Sequence, residues 1–234
     1  MPSIVRYAFR GAEILIRSDA SREPRLDALD CCGAALPEPA DRLALPGAFT
    51  AESYAAGTEA PGGWEWLPFR TVINAVPEAG WLGAARAMAL ANWHSSTRFC
   101  GRCGSPNGDK PDELARQCPS CGALSFPRIS PAVLAVVTRG DRLLLARNVM
   151  HKTGIWSILA GFVEPGETFE GCVRREVRED VPIDVRPTGY LGSQPWPFPD
   201  QLMVGFSAEW VFGEPAPEAS ELAEACRFWA GGHP

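Results

Sequence analysis

Hydrophobic positions along this chain change period twice. Near the start, IVRYAF at 4–9 and EILIRS at 13–18 are short apolar runs broken by Pro, Gly and Asp, the pattern of strands in a small β-rich domain. Residues 78–96, EAGWLGAARAMALANWHSS, are alanine-rich with apolar residues at helical spacing, which predicts a linker helix. Beyond residue 130 the short period returns. PAVLAVVT at 131–138 and RLLLAR at 142–147 flank an Arg-Gly-Asp turn and predict a strand pair. A strand is expected over 155–163, a helix after it, strands over 183–191 and 201–212, and a short helix over 217–225 with Pro early in it. Strands around a central helix with a second helix later define an α/β or α+β domain with a mixed sheet. The expected division is an N-terminal domain with its linker helix (1–95), a cysteine-bearing module (96–127) and a C-terminal domain (128–234).

Composition narrows the chemistry. The 234 residues carry a net charge of −6 and are 46% hydrophobic, enough for a packed core. An acidic chain is not expected to grip a nucleic-acid backbone broadly, and one acting on a polyanion needs metal ions between the two. No apolar run reaches the roughly 18 residues of a membrane span, and the N-terminus lacks a signal-peptide pattern. The expectation is a cytoplasmic protein, where thiols stay reduced.

Four of the eight cysteines share one pattern. CGRCG at 100–104 and CPSCG at 118–122 are two C-x2-C pairs, each followed by glycine. Cys100, Cys103, Cys118 and Cys121 together suit one tetrahedral Zn2+ with no position left open, a structural site; a disulfide pair or a redox motif is the competing reading. His94 is close in sequence, but four thiolates already complete the site. Cys31, Cys32, Cys172 and Cys226 have no such spacing and read as packing residues. A nucleic-acid-binding ribbon would want clustered basic residues. Arg98, Arg102, Lys110, Arg116 and Arg128 are instead interspersed with Asp109, Asp112 and Glu113.

The densest chemistry lies in GFVEPGETFEGCVRREVREDVPI at 161–183. On a helix, Glu176, Glu179 and Asp180 share one face. Three carboxylates on one stripe repel each other unless a cation sits among them, and hard divalent ions take oxygen ligands of this kind. The stretch resembles the Nudix box, G-x5-E-x7-R-E-U-x-E-E-x-G-U, through Gly161, Glu167, Arg175, Glu176, Val177, Glu179 and Ile183. Asp180 replaces the last Glu and Pro182 replaces Gly. The resemblance implies the Nudix fold and metal-dependent hydrolysis of a nucleoside diphosphate linked to another group. Glu176, Glu179 and Asp180 would hold Mg2+ or Mn2+, and Glu167 would pair with Arg175 to pin the loop. The general base would be Asp180, or Glu179 if the shorter Asp does not reach.

A second motif follows: SQPWPFP at 193–199, then Asp200, Gln201, Leu202 and Met203. Its three prolines exclude a regular helix or central strand, so Trp196 and Phe198 sit on a stiff segment. The run resembles the SQPWPFPxS signature of the NADH pyrophosphatase branch of the Nudix hydrolases, which also carries a four-cysteine zinc ribbon. Gln201 stands where the signature ends in Ser. The resemblance implies hydrolysis of NADH or NAD+ to a nicotinamide mononucleotide and AMP, with removal of NAD caps from RNA as an extension. It implies Phe126 and Phe162 against the adenine, substrate contacts from the segment that holds Gln201 and Met203, and Glu221 as a further metal ligand on the later helix. Gln194 and Trp196 would reach a neighbouring site in a homodimer. It also implies a Pro-rich loop and final helix after the strand at 226–229, so the chain, ending at Pro234, is expected to be shortened. The alternative is a weakly active or inactive dinucleotide-binding relative.

Overall fold

A computed structural model describes residues 5–17, 30–31, 33–45, 49–76, 78–148, 155–214 and 222–229. The chain divides into two compact units: Met1–Arg128 with Pro195–Asp200, and Ile129–Gln194 with Gln201–Pro234.

In the first unit, strands β1 (Val5–Arg10), β2 (Glu13–Arg17), β3 (Asp41–Leu45), β4 (Phe49–Ser53) and β5 (Trp64–Pro68) form a sheet in the order β3-β4-β1-β2-β5. Strand alternation gives this sheet two apolar faces. Tyr7, Phe9, Ile14 and Ile16 face one core with helices α1 (Phe69–Ala75) and α2 (Glu78–Ser96), whereas Ala8 and Leu15 face a smaller one with Cys31 and Tyr54. The linker helix forms as its spacing predicts. Trp81, Ala84, Ala85, Met88, Ala91 and Trp93 on it are buried, so its alanines serve close packing on the sheet. His94 near its end is buried between Asp41 (Nδ1 to Oδ2, 2.7 Å) and Asp109 (Nε2 to Oδ1, 3.0 Å). It is a structural residue outside the cysteine group.

The module that follows has strands β6 (Gly108–Asp109), β7 (Arg116–Gln117) and β8 (Leu124–Ser125). In each C-x2-C-G turn the glycine N–H bonds back to the first cysteine's carbonyl, Gly104 to Cys100 at 2.9 Å and Gly122 to Cys118 at 3.0 Å. Both glycines have positive φ, 76° and 73°, a conformation that costs glycine little and that turns the two sulfurs toward one point.

The second unit contains β9 (Ser130–Arg139), β10 (Arg142–Asn148), β11 (Leu159–Phe162), α3 (Phe169–Asp180), β12 (Asp184–Trp196), β13 (Gln201–Phe212) and β14 (Leu222–Trp229). The sheet order is β12-β13-β9-β10-β14, with β11 also on β9. It is mixed, because β13 runs parallel to β9 while β10 and β11 run antiparallel to it. The α+β expectation therefore holds. Cys172, Val173 and Val177 of α3 are fully buried in its core with Val133, Val137, Leu144 and Ile183; each valine contributes about 2 kcal/mol through apolar burial.

Three expected elements differ. Residues 222–229 are a strand paired antiparallel with β10, from Arg142↔Trp229 to Asn148↔Leu222. The helix expected over 217–225 is therefore corrected for its last four residues, and the rest of it lies outside the described residues. The open edge of β10 satisfies a whole row of backbone groups, which outweighs the intrinsic helix preference of Ala and Glu. The strand expected over 155–163 begins at Leu159, preceded by a single bridge from Ser157 to Ala146. Strand β12 runs on through Pro195 to Trp196; it lies at the sheet edge, where a missing N–H is tolerated. Among the described residues no helix is long and apolar enough to cross a membrane.

Candidate active site

Strand β11 delivers the chain into a loop tied at both ends. Glu164 N–H donates to Glu167 Oε2 at 3.1 Å, and Glu167 N–H donates to the Glu164 carbonyl at 3.0 Å. Thr168 then caps α3, its hydroxyl accepting from Gly171 N at 3.1 Å. The helix ends at Asp180. Val181 is extended (φ −142°, ψ 97°), the conformation a residue before proline favours, and it carries the chain into the core with Ile183. The helix thus stops two residues before Pro182.

Arg175 is the hub of this site. Its Nε donates to Glu167 Oε1 at 2.9 Å and its Nη2 to Glu167 Oε2 at 2.8 Å, a bidentate pair. Nη2 also reaches the Phe162 carbonyl at 2.8 Å, while Nη1 donates to Glu176 Oε1 at 2.8 Å and Glu179 Oε2 at 3.0 Å. The bond to Arg175, with help from the Glu164 N–H, holds the Glu167 carboxyl down at about 2. The same bonds hold the Arg175 guanidinium firmly charged, Glu167 contributing most. Burial pushes Glu176 the other way, above the usual carboxylate range, and the charges of Glu179 and Glu167 add to the rise.

The space around Glu176 explains Gly161. A Cβ built there would lie 1.8 Å from Glu176 Cδ, so any side chain at 161 would displace the carboxylate. Beneath them, the Cys172 thiol bonds the Phe162 carbonyl at 3.3 Å and is pushed up to about 12 by burial and by Glu167. It is an inert packing residue under the loop. Spacing alone carried no signal for that contact.

The structure thus brings together Glu167, Arg175, Glu176 and Glu179, with Asp180 closing the helix. Three carboxylates converge on one guanidinium, an all-oxygen donor set with surplus negative charge and one member destabilised by burial. That chemistry fits a hard divalent cation. The carboxylates are not drawn into a cage of their own, because Arg175 sits among them. Among the described residues, the group of three or more His, Cys, Asp or Glu with ligand atoms within 4.8 Å of one another is Cys100, Cys103, Cys118 and Cys121. Their sulfurs are 3.7 Å (Cys100–Cys121) and 3.5 Å (Cys103–Cys118) apart. Tetrahedral Zn2+ with bonds of about 2.3 Å requires sulfurs about 3.8 Å apart, so this set fits zinc.

The other expected residues are placed as follows. Phe126 and Phe162 are exposed, 51% and 52%. Phe126 lines a cavity of about 160 Å³ with Trp93, Thr97, Arg128 and Pro199. Gln194 on β12 and Gln201 and Met203 at the start of β13 are half-buried. Trp196 packs against the N-terminal core, its ring 5.3 Å from Phe198. Glu221 lies outside the described residues.

The comparisons with known proteins agree with this geometry. A NUDIX domain matches residues 128–230 and an NADH pyrophosphatase zinc ribbon domain matches residues 95–126. A Nudix hydrolase structure from Nitrosomonas europaea shares the fold, with TM-score 0.51 and 23% identity over 57% of this chain and 78% of that one. The chain thus carries a Nudix domain joined to an NADH pyrophosphatase zinc ribbon domain. It is 48% identical over 161 residues to the NAD-capped RNA hydrolase NudC of Chromobacterium violaceum, covering 69% of this chain and 61% of the relative. With the protein of the same description from Stutzerimonas stutzeri it is 45% identical over 163 residues, 70% and 59% of the two chains. The chain thus spans about six-tenths of the length of these curated relatives.

Proposed function

We propose that the chain hydrolyses the pyrophosphate of NADH or NAD+ to a nicotinamide mononucleotide and AMP, and acts on NAD-capped RNA 5′ ends by the same chemistry. The observation that carries this reading is the Glu167–Arg175–Glu176–Glu179 cluster on α3 and its loop, joined in one chain to the SQPWPFP segment and the zinc ribbon. Support comes also from the relatives described as NAD-capped RNA hydrolases. Glu176, Glu179 and Asp180 would hold Mg2+ or Mn2+, with Glu221 as a further ligand. Such a metal polarises phosphoryl oxygens and acidifies a bound water. Asp180, or Glu179 if the shorter side chain does not reach, would accept the proton. Arg175 and Glu167 hold the loop that places Gly161 against Glu176. Phe126 and Phe162 offer ring faces to a base, with Gln201 and Met203 as further contacts. The zinc ribbon is structural, the compartment cytoplasmic, and the working form a homodimer to which Gln194 and Trp196 contribute.

One observation favours a second reading. Arg175 occupies both Glu176 and Glu179, and Asp180 and Pro182 depart from the box, so a dinucleotide-binding protein with little turnover is the alternative. Purified protein incubated with NADH and Mg2+ or Mn2+ distinguishes the two. Release of AMP supports hydrolysis; saturable NADH binding without AMP supports the alternative.

A further inference from the structure

The SQPWPFP segment does not stand free. Pro195–Asp200 belongs to the first compact unit, and three residues of that unit hold it. Phe69, the fully buried first residue of α1, meets the Phe198 ring at 6.1 Å between centroids. Arg70, the next residue, lies over both rings of the segment, its guanidinium carbon 4.8 Å from the Phe198 centroid and 5.6 Å from that of Trp196. From α2, Asn92 Nδ2 donates to the Pro199 carbonyl at 3.3 Å. Among the described residues no carboxylate pairs with Arg70, although its side chain is exposed. A surface arginine with no carboxylate partner and two aromatic faces beneath it is held there by cation–π attraction. Trp196 and Phe198 are in turn fixed edge-to-face at 5.3 Å.

We propose that Arg70 is a positioning residue for substrate binding. Stacked on Phe198 and Trp196, it locks the aromatic segment in one conformation, so that the N-terminal domain takes part in recognising the dinucleotide. The inference rests on the NAD(H) pyrophosphatase reading and adds to it a task for residues 1–95. A segment ordered before the ligand arrives binds without meeting the ordering cost at that moment. Loss of the stack therefore weakens binding and leaves the chemical step alone.

The test pairs kinetics with a readout that needs no turnover. In NADH hydrolysis, Arg70→Ala raises KM about fivefold with little change in kcat, the scale of one exposed cation–π contact. Arg70→Lys, which keeps a cation over the rings, restores most of the KM. In amide hydrogen exchange without substrate, the peptide covering 193–203 exchanges faster in Arg70→Ala than in wild type, while peptides of α3 do not change. Asn92→Ala loosens the same segment from α2 and gives the same exchange result should Arg70→Ala fail to fold. Unchanged exchange over 193–203 overturns the proposal, and so does a fall in kcat at constant KM. Should the wild-type protein release no AMP from NADH, the hydrolase reading fails by itself; the exchange measurement still decides whether Arg70 positions the segment.

Discussion

Glu179 and Glu167 carry similar side chains on the same guanidinium, yet their tasks differ. Glu167 gives both oxygens to Arg175 and is a structural clamp. Glu179 gives one, is largely exposed, and keeps an oxygen free for a cation. Glu179→Gln is therefore expected to lower kcat by roughly a hundredfold or more, the scale of removing one electrostatic contact at a reacting centre, with the melting temperature nearly unchanged. Glu167→Gln is expected to act on stability instead. The Glu167 carboxyl is held at about 2 in the fold, below its ordinary 4.5. A depressed carboxylate stabilises the fold fully above its unfolded value, and that contribution fades as pH falls through the folded one. The gap in melting temperature between wild type and Glu167→Gln should thus be constant above about pH 5.5 and close between about pH 4.5 and pH 2. A gap that stays constant down to pH 2 contradicts the clamp.

Helix α3 shows what sequence makes legible at the element scale. Its start, its stop before Pro182, its buried stripe of Val173 and Val177 and its carboxylate face all follow from local rules of capping and period. So do the two cysteine turns. The first half of strand β14, residues 222–225, was not legible, because its conformation is set by the free edge of β10 rather than by its own residues. The clasp of Phe69, Arg70 and Asn92 on the SQPWPFP segment was equally hidden, since residues over a hundred positions apart carry no common period. On the proposed hydrolase reading, the extended Val181 bears on the rate. It leaves Asp180 as the last helical residue, with a carboxylate one bond, about 1.5 Å, short of a glutamate's reach. A displacement of about 1 Å can cost around a hundredfold in rate. Asp180→Glu with Pro182→Gly is expected to raise kcat on NADH more than it changes KM. An unchanged or lower kcat in the double variant would show that the native turn already places its carboxylate correctly.

Over the whole molecule the chemistry is divided among parts that fold for different reasons. The second unit has its own apolar core. The ribbon has three two-residue strands, and four sulfurs at the spacing of a zinc tetrahedron. Its folding energy is in large part metal-binding energy. Cys118→Ser is accordingly expected to release zinc and to lower the melting temperature by about 5 °C or more, measured by metal analysis and calorimetry on one preparation. Zinc-free wild-type protein with an unaltered melting temperature would contradict that role. The central claim is that α3 and its loop form the reacting centre for an NAD(H) pyrophosphate. Its most direct test is product analysis of NADH incubated with Mn2+ and either wild-type protein or Glu179→Gln at equal concentration. The account predicts AMP and reduced nicotinamide mononucleotide in equal amounts from wild type and almost none from the variant. Equal AMP from both proteins, or none from either, would contradict it.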